Sequence, residues 1–143
     1  MRSKNSGFTL LELLIAMTVV AILLAIAYPS YQSYIIRTSR EAAQSQLQQL
    51  ANLEEKIFLN SSSYTTTGDA TTKVTTAYNG TNTGGLGLNP NKTSDGKYTI
   101  TLPTATATTF TLQATPVTGT TQVGDGNITI DHTGQRLWNG VSW

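Results

Sequence analysis

The fold is decided by the stretch Gly7-Phe8-Thr9-Leu10-Leu11-Glu12-Leu13-Leu14-Ile15-Ala16-Met17, in which a single carboxylate interrupts an apolar run. The run continues to Ala27 and, as a helix, covers roughly 30 Å, about the thickness of the hydrocarbon core of a bilayer. An acidic side chain inside such a segment is costly unless it finds a partner. The sequence therefore predicts a membrane-spanning helix in which Glu12 has a function.

The position of Glu12 suggests what its partner is. Glu12 lies about one helical turn from Phe8, near the end of the span, where a charge costs less than at the centre. If the chain were cut before Phe8, the new α-amino group would lie within about a turn of such a carboxylate, on its own chain or on a neighbouring copy. We therefore expect an ion pair that sets the register between copies.

This segment resembles the class III signal of type IV pilins and pseudopilins. In that family a prepilin peptidase cuts after the glycine that is Gly7 here, and it methylates the new terminal amine, which is that of Phe8 here. The glutamate that matches Glu12 pairs with the terminus of the next subunit during assembly. Pro29 matches a proline that kinks the helix after the apolar run.

A narrower resemblance is to the PilE-type minor pilins. It is carried by the residues around and after the proline and by the segment 126–138. The first group is Tyr28-Pro29-Ser30-Tyr31 with Arg37, Arg40, Glu41, Ala42 and Gln44. The resemblance implies a structural subunit of a type IV pilus, a minor pilin that helps to initiate or cap the filament. A major pilin, a type II secretion pseudopilin and a DNA-uptake pilin are the alternatives.

The resemblance also implies partners and locations. The expected partners are other pilin subunits, the prepilin peptidase and the assembly platform of the inner membrane. The precursor is expected to span the inner membrane once, and the assembled subunit to lie in an extracellular filament. Neither a cofactor nor an enzymatic activity is expected.

Other interpretations of the N-terminus remain open. Ala25-Ile26-Ala27 has the small-x-small form of a secretory cleavage site. An uncleaved signal anchor explains Arg2 and Lys4 by the positive-inside rule but leaves Glu12 unexplained. A buried core helix is a third interpretation, although a chain of 143 residues rarely encloses so long an apolar rod.

A helical period continues after the proline. Ala43, Leu47, Leu50 and Ile57 recur at steps of three, four and seven residues, which predicts one buried helix face. Glu54 and Glu55 fall largely off this stripe, as do Gln44, Gln48 and Gln49. We predict one long helix from about Phe8 to Asn60, bent near Pro29. A leader at 1–7 is expected to precede this helix, which consists of a transmembrane half at 8–29 and an amphipathic half at 30–60.

The remainder, 61–143, is rich in Thr, Gly and Asn and predicts a β head. Its first part, 61–96, is expected to be a long surface loop with one short strand. Alternating apolar residues predict strands at 97–102, 110–114 and 127–131, and the turn at Thr133-Gly134 predicts a fourth at 135–138. Pro103 and Pro116 are expected to end the first two strands, and 139–143 is expected to be a tail.

These elements predict an α+β fold, with a four-stranded antiparallel β-meander packed on the C-terminal half of a spine helix. The resemblance implies the same architecture, the type IV pilin fold. The expected inner face of the sheet would cover the Leu47 and Leu50 stripe. It consists of Tyr98, Ile100, Leu102, Phe110, Leu112, Ile128 and Ile130.

Candidate catalytic and metal sites are few. The sequence has one histidine, His132, and its neighbour Asp131 would point to the opposite face of a strand, so the two form no catalytic pair. Asp125, Asn127, Thr129 and Asp131 alternate like the start of a calcium loop, but the glycine and the bidentate glutamate of that motif are missing. We therefore predict no catalytic residues and no metal site.

The chain has no cysteine. The resemblance leads one to expect cysteines near Asp125-Gly126 and Val141-Ser142, where many pilins close a C-terminal disulfide. We predict that packing and hydrogen bonds hold the C-terminus instead, with Trp138 and Trp143 as anchors.

Nucleic acid is kept as an alternative partner. A nucleic-acid site needs clustered Lys and Arg with aromatic platforms. The predicted β head at 61–143 has Lys73, Lys92, Lys97 and Arg136. They are scattered in sequence and form a site only if folding brings them together.

Overall fold

The structure is a computed structural model that describes residues 8–143. The predicted leader and the cleavage residue Gly7 lie outside the described residues. Helix α1 spans Leu10–Ser61 and continues through Pro29. The chain divides into two compact units, one ending at Ile35 and one comprising Ile36–Trp143, which we call the N-terminal unit and the head.

The N-terminal unit has no core of its own among its described residues. All residues from Phe8 to Tyr31 are exposed. Helix α1 is long and apolar enough to cross a membrane, and none of its most apolar window is buried in the protein. The predicted bend at Pro29 stays a prediction.

The head contains a five-stranded antiparallel sheet in which neighbours in sequence are neighbours in space. Its strands are β1 (Tyr98–Ala105), β2 (Phe110–Pro116), β3 (Ile128–Asp131), β4 (Arg136–Trp138) and β5 (Val141–Ser142). The α+β fold and the meander are confirmed.

The fifth strand falls in the segment that the sequence predicts to be a tail. Val141 pairs with Trp138, and Ser142 pairs with Leu137. Asn139 and Gly140 join the strands with φ values of 49° and 81°. Two consecutive positive φ angles are characteristic of a type I′ hairpin turn, for which Asn-Gly is the preferred sequence. A strand of two residues shows no alternation, so Asn139-Gly140 was the only local signal for it.

The core forms where α1 and the sheet meet. Every residue of the predicted inner face is buried, and Ala43, Leu47, Leu50 and Ile57 of α1 belong to the same hydrophobic cluster. The loop between α1 and β1 adds Tyr64, Val74 and Leu86 to this cluster. The predicted packing of the sheet on the C-terminal half of α1 is therefore confirmed.

The prediction that Pro103 ends the first strand is wrong. Strand β1 continues to Ala105, and its register with β2 shifts between Thr101 and Thr104. Pro103 is exposed and lies within this irregularity. A β-bulge leaves a residue out of the ladder, so the missing N–H of proline costs no hydrogen bond there.

The loop from 62 to 97 is more ordered than predicted. It contains a single helical turn, α2 (Thr72–Thr75), and an isolated bridge between Lys92 and Thr99, where we expected one short strand. Backbone N–H groups of Leu86 and Leu88 donate to the carbonyls of Lys73 and Val74 at 3.0 and 2.9 Å. The loop is thus folded on itself around the buried Val74 side chain.

The placement of Glu54 off the buried face is also wrong. Glu54 is fully buried. The backbone N–H of Thr65 donates to its Oε2 at 3.0 Å, because the chain turns back across α1 immediately after the helix ends. The carboxylate therefore connects α1 to the start of the loop.

Candidate functional site

The start of α1 is organised around Glu12. The backbone N–H and the hydroxyl of Thr9 donate to Glu12 Oε2 at 3.0 and 2.9 Å, and the N–H of Glu12 donates to Thr9 Oγ1 at 3.2 Å. The N–H of Leu13 donates to the carbonyl of Thr9 at 3.3 Å, which identifies Thr9 as the N-cap. Thr9-x-x-Glu12 is a capping box. This signal is present in the sequence, although the cap was not among the predictions.

The capping box gives Glu12 a local role besides the predicted intersubunit one. It satisfies N–H groups at the start of the helix that have no intrahelical acceptor. Phe8, directly before the N-cap, is 84% exposed. The structure therefore places Phe8 and the Glu12 carboxylate near each other at the helix end. Among residues 8–143, the donors to the Glu12 carboxylate are the N–H and the hydroxyl of Thr9.

The largest exposed apolar surface of the described chain lies along the N-terminal unit. From Leu10 to Ile26 its leucines, isoleucines, valines and Met17 are between 48% and 89% exposed. Apolar surface of this extent is unfavourable in water and marks a site for membrane or protein contact.

In the head, a buried polar cluster joins α1 to the segment before β3. Arg40 forms a two-pronged contact with Asp125, its Nε donating to Oδ2 at 2.9 Å. The hydroxyl of Tyr98 also donates to Asp125. Gln122 Nε2 lies 2.9 Å from Asp125 Oδ2, from the Tyr98 hydroxyl and from the carbonyl of Ile36. We call Arg40, Tyr98, Gln122 and Asp125 the buried cluster.

The ionisation of the buried cluster follows from these contacts. Burial raises the pKa of Asp125, but hydrogen bonds from Arg40, Tyr98 and Gln122 outweigh it, so the pKa lies below its usual range. Burial, and then the hydrogen bond to Asp125, raise the pKa of Tyr98. Asp125 is therefore a carboxylate and Tyr98 a neutral donor at neutral pH.

This cluster also accounts for Asp125 in the calcium-like pattern. Asp131, at the other end of the pattern, accepts hydrogen bonds from Thr133 and from the N–H of Gln135 at 3.0 Å. Within residues 8–143, no group of three or more His, Cys, Asp or Glu side chains is arranged to hold a metal ion. The alternating polar residues from Asp125 to Asp131 therefore belong to strand β3 and to the turns on either side of it.

The two tryptophans lie where the resemblance led us to expect a disulfide. Trp138 Nε1 donates to the carbonyl of Asp125 at 2.6 Å, and the guanidinium carbon of Arg40 lies 3.6 Å from the centroid of the Trp138 ring. Trp143 packs against the core, and its N–H donates to the carbonyl of Arg136 at 3.2 Å. The structure agrees with the predicted role of both residues as C-terminal anchors.

Folding aligns three of the four scattered cations. The edge of β1 that faces away from β2 is covered by the loop, because Leu102 N–H donates to Ala70 O and Ile100 N–H to Asn91 O, at 2.9 and 2.7 Å. Lys73, Lys92 and Lys97 therefore all lie along this edge, which we call the lysine edge. Arg136 lies three strands further across the sheet, roughly 14 Å from β1.

The lysine edge is extended. Lys97 Nζ donates to Ser39 Oγ at 3.1 Å, and Lys73 lies near enough to Glu54 to lower its pKa. Ser39 and Glu54 are about 22 Å apart along α1. The head as a whole is not basic: the chain has nine Lys and Arg and eight Asp and Glu, and Arg2, Lys4 and Glu12 precede Ile36, which leaves seven of each.

Comparison with known proteins gives two family matches. Residues 2–28 match the prokaryotic N-terminal methylation motif, and residues 29–128 match the family described as type IV minor pilin ComP, DNA uptake sequence receptor.

Individual relatives match over shorter stretches. A type IV major fimbrial protein FimA of Dichelobacter nodosus is 40% identical over 60 residues, covering 42% of this chain and 38% of FimA. A fimbrial protein of Pseudomonas aeruginosa is 42% identical over 55 residues, covering 38% of this chain and 36% of the relative. The chain thus spans less than two fifths of the length of these relatives. Because the second family match covers most of the chain and every buried core residue except Ile130, the protein belongs to the type IV minor pilin ComP family.

Proposed function

We propose that this type IV pilin is made as an inner-membrane precursor, cut after Gly7, methylated at Phe8 and incorporated into an extracellular pilus. One observation carries the proposal: a methylation motif at 2–28 includes the apolar first part of α1, in which every described residue is exposed. The helix needs a lipid or protein environment both before and after cleavage. In the filament, other pilin subunits provide it.

Within this proposal Glu12 pairs with the amino terminus of a neighbouring subunit. Its carboxylate lies at the open end of α1 and already accepts hydrogen bonds there. An α-ammonium group on an adjoining copy offers a full charge, which the neutral donors of Thr9 do not.

Maturation is tested by co-expressing the full chain with a prepilin peptidase and its assembly platform. Mass spectrometry of the purified protein is expected to show an N-methylated Phe8 terminus. The Gly7→Asp variant, with a bulky charge at the scissile bond, is expected to keep its leader. A chain that still begins with Met1 in the presence of active peptidase contradicts the proposal.

We further propose that the subunit is a minor pilin that binds double-stranded DNA. The family match that covers the head is to a DNA uptake sequence receptor, whereas the major fimbrial relatives match a smaller share of the chain. The lysine edge supplies three cations, of which Lys92 is exposed and Lys73 and Lys97 are half-buried. Since the head has equal numbers of acidic and basic residues, binding is expected to depend on few phosphate contacts and to be weak on random sequence.

DNA binding is tested with the full chain in detergent. Recovery of bound duplexes from a random pool is expected to enrich one sequence. Lys92→Gln is expected to weaken binding and to lower the slope of log affinity against log salt by about 1. Lys56→Gln, an exposed lysine on α1 outside the lysine edge, is the matched control. Absence of binding to any duplex at low salt contradicts a receptor role.

The copy number of the subunit distinguishes a minor pilin from the alternatives. Quantitative peptide counting of sheared pili is expected to find it at a small fraction of the main subunit. An abundance equal to that of the main subunit would identify a major pilin, and absence from pili would favour a secretion pseudopilin.

A further inference from the structure

Three tyrosines follow directly on the apolar run of α1. Tyr28, Tyr31 and Tyr34 recur at intervals of three residues and are 63%, 63% and 59% exposed. None of these rings belongs to the hydrophobic core of the described chain. Their exposure is unusual for aromatic residues, which bury large areas where they can.

The spacing of the tyrosines matches the dimensions of one membrane interface. A bilayer is about 30 Å thick in its hydrocarbon core and 40–45 Å with its polar layers, so that each polar layer measures roughly 5–8 Å. The run from Phe8 to Ala27 accounts for the hydrocarbon core. Tyr28 to Tyr34 then covers about 9 Å along the helix, slightly more than the depth of the polar layer that follows.

The surrounding residues change character in the same order as the layers of a bilayer. Ser30, Gln32 and Ser33 stand between the tyrosines, and Gln32 Nε2 donates to the Tyr28 hydroxyl at 2.7 Å. The first charged residue after Glu12 is Arg37, which is exposed and paired with Glu41 at 3.5 Å. The sequence thus passes from apolar residues through tyrosines and neutral polar residues to charged ones within three helical turns.

We propose that Tyr28, Tyr31 and Tyr34 form a collar that lies among the lipid headgroups and fixes the depth of the precursor in the membrane. A tyrosine ring suits this layer because its body is apolar and its hydroxyl is polar. Successive tyrosines are rotated by about 60° on the helix, so that the collar covers roughly a third of the circumference. The inference rests on the membrane stage of the proposed function.

The absence of cysteine makes the test direct, because single cysteines can be introduced as unique probes. Ala27, Ser30, Ser33 and Glu41 are each changed to Cys in the full-length precursor, reconstituted in vesicles of phosphatidylethanolamine and phosphatidylglycerol. Labelling by a membrane-impermeant maleimide is normalised to Glu41→Cys, which lies beyond the collar. We expect Ala27→Cys to be protected and Ser33→Cys to be labelled.

The collar is then removed by the triple change Tyr28→Ala, Tyr31→Ala and Tyr34→Ala. Alanine tolerates hydrocarbon and Ile35 follows, so the helix is expected to slide inwards by about one turn and to protect Ser33→Cys. The triple change to Trp, which also favours the interface, is the matched control and is expected to keep Ser33→Cys labelled.

The outcomes separate the collar from the function on which it rests. If the triple alanine variant keeps the labelling profile of the parent chain, the proposal that the tyrosines fix the depth in the membrane is wrong. If that variant also fails to enter fibres, the tyrosines contact another subunit instead. Rapid labelling of Ala27→Cys in the chain with its native tyrosines overturns the membrane stage itself. In that case the failure lies in the proposed function and not in the tyrosines alone.

Discussion

At the scale of single residues, Glu12 combines a local and a proposed intersubunit role, and substitutions can separate them. Glu12→Gln keeps an acceptor for Thr9, since glutamine also serves in a capping box, but it removes the charge. We expect Glu12→Gln and Glu12→Ala both to reduce incorporation into sheared pili sharply, because the pairing with a terminal ammonium needs the carboxylate.

Immunoblots of sheared fibres against whole-cell levels measure this effect. Thr9→Val removes the side-chain part of the cap and keeps the charge, and it is expected to incorporate better than Glu12→Gln. If Glu12→Gln assembles normally and Glu12→Ala does not, the capping box and not the intersubunit pair is what assembly requires.

Asp125 accepts hydrogen bonds from three side chains of the head, those of Arg40, Tyr98 and Gln122. Asp125→Ala leaves the Arg40 guanidinium, whose side chain is 19% exposed, without its carboxylate. Breaking a buried pair in this way costs about 3 kcal/mol or more. Urea unfolding followed by tryptophan fluorescence should show this loss, because Trp138 donates to the Asp125 carbonyl.

The Asp125 contribution also has a defined pH window. Because the folded-state pKa lies below the ordinary value of 3.8, the stabilisation is present above that value and is lost as the pH falls through the folded pKa. Glu41→Gln removes the carboxylate of the exposed Arg37 pair and is the matched control. If Glu41→Gln lost as much stability as Asp125→Ala, the special role of the buried cluster would be contradicted.

At the scale of elements, a buried carboxylate connects α1 to the loop that follows it. Glu54 Oε2 accepts from Thr65 N–H, while Glu54 Oε1 and Thr65 Oγ1 are buried without a hydrogen-bond partner among the described residues. Burial raises the pKa of Glu54, and the hydrogen bond from Thr65 N–H and the charge of Lys73 only partly oppose it. Glu55 adds a like charge beside Glu54. Burial, and then the hydrogen bond that its hydroxyl donates to Glu55, raise the pKa of Tyr64 to about 12.

This arrangement predicts that acid tightens the junction between helix and loop. A carboxyl group with a raised folded-state pKa binds more protons in the folded than in the unfolded state, so its contribution to the free energy of unfolding falls as the pH rises above 4.5. Glu54→Gln keeps an acceptor for Thr65 N–H and removes the titration.

We therefore expect Glu54→Gln to be more stable than the parent chain at pH 7 and less dependent on pH between 4.5 and 8. Glu41→Gln, which changes an exposed carboxylate of the same helix outside this junction, is the control. Hydrogen exchange at the amide of Thr65 measures the opening of this junction directly. If Glu54→Gln is less stable than the parent chain at pH 7, the ionised carboxylate stabilises the junction and the prediction is wrong.

At the scale of the whole molecule, the head contains the entire buried core of the described chain, which begins at Ala43 and ends at Ile130. A fragment starting at Ser30 loses the exposed apolar surface of residues 8–29 and keeps that core. We expect it to be folded, soluble and monomeric by light scattering, with lowest solubility near neutral pH, where acidic and basic residues balance. Aggregation of a folded fragment at all salt concentrations would show that the head, besides the apolar part of α1, has a surface that binds other copies.

Much of this fold could be predicted from the sequence because its signals are local. The apolar run, the stripe of Ala43, Leu47 and Leu50 and the alternation in β1, β2 and β3 each reflect the repeat of one element, and all were found in the predicted places. Two local signals were present and unused, namely the capping box at Thr9 and the Asn139-Gly140 turn into β5. Pro103 misled us because an edge strand with a β-bulge tolerates proline where a regular central strand would not.

The sequence by itself determined the spine helix, the meander and the membership of the pilin family, since periodicity and short motifs are properties of neighbouring residues. Only the tertiary structure decided which polar residues are buried and which meet. Arg40 and Asp125 are 85 positions apart, and Glu54 is buried only because the chain turns back across α1. Likewise, the three lysines share an edge because the loop pairs with β1. Contacts between distant segments leave no period in the sequence, so their partners are defined only when the chain has folded.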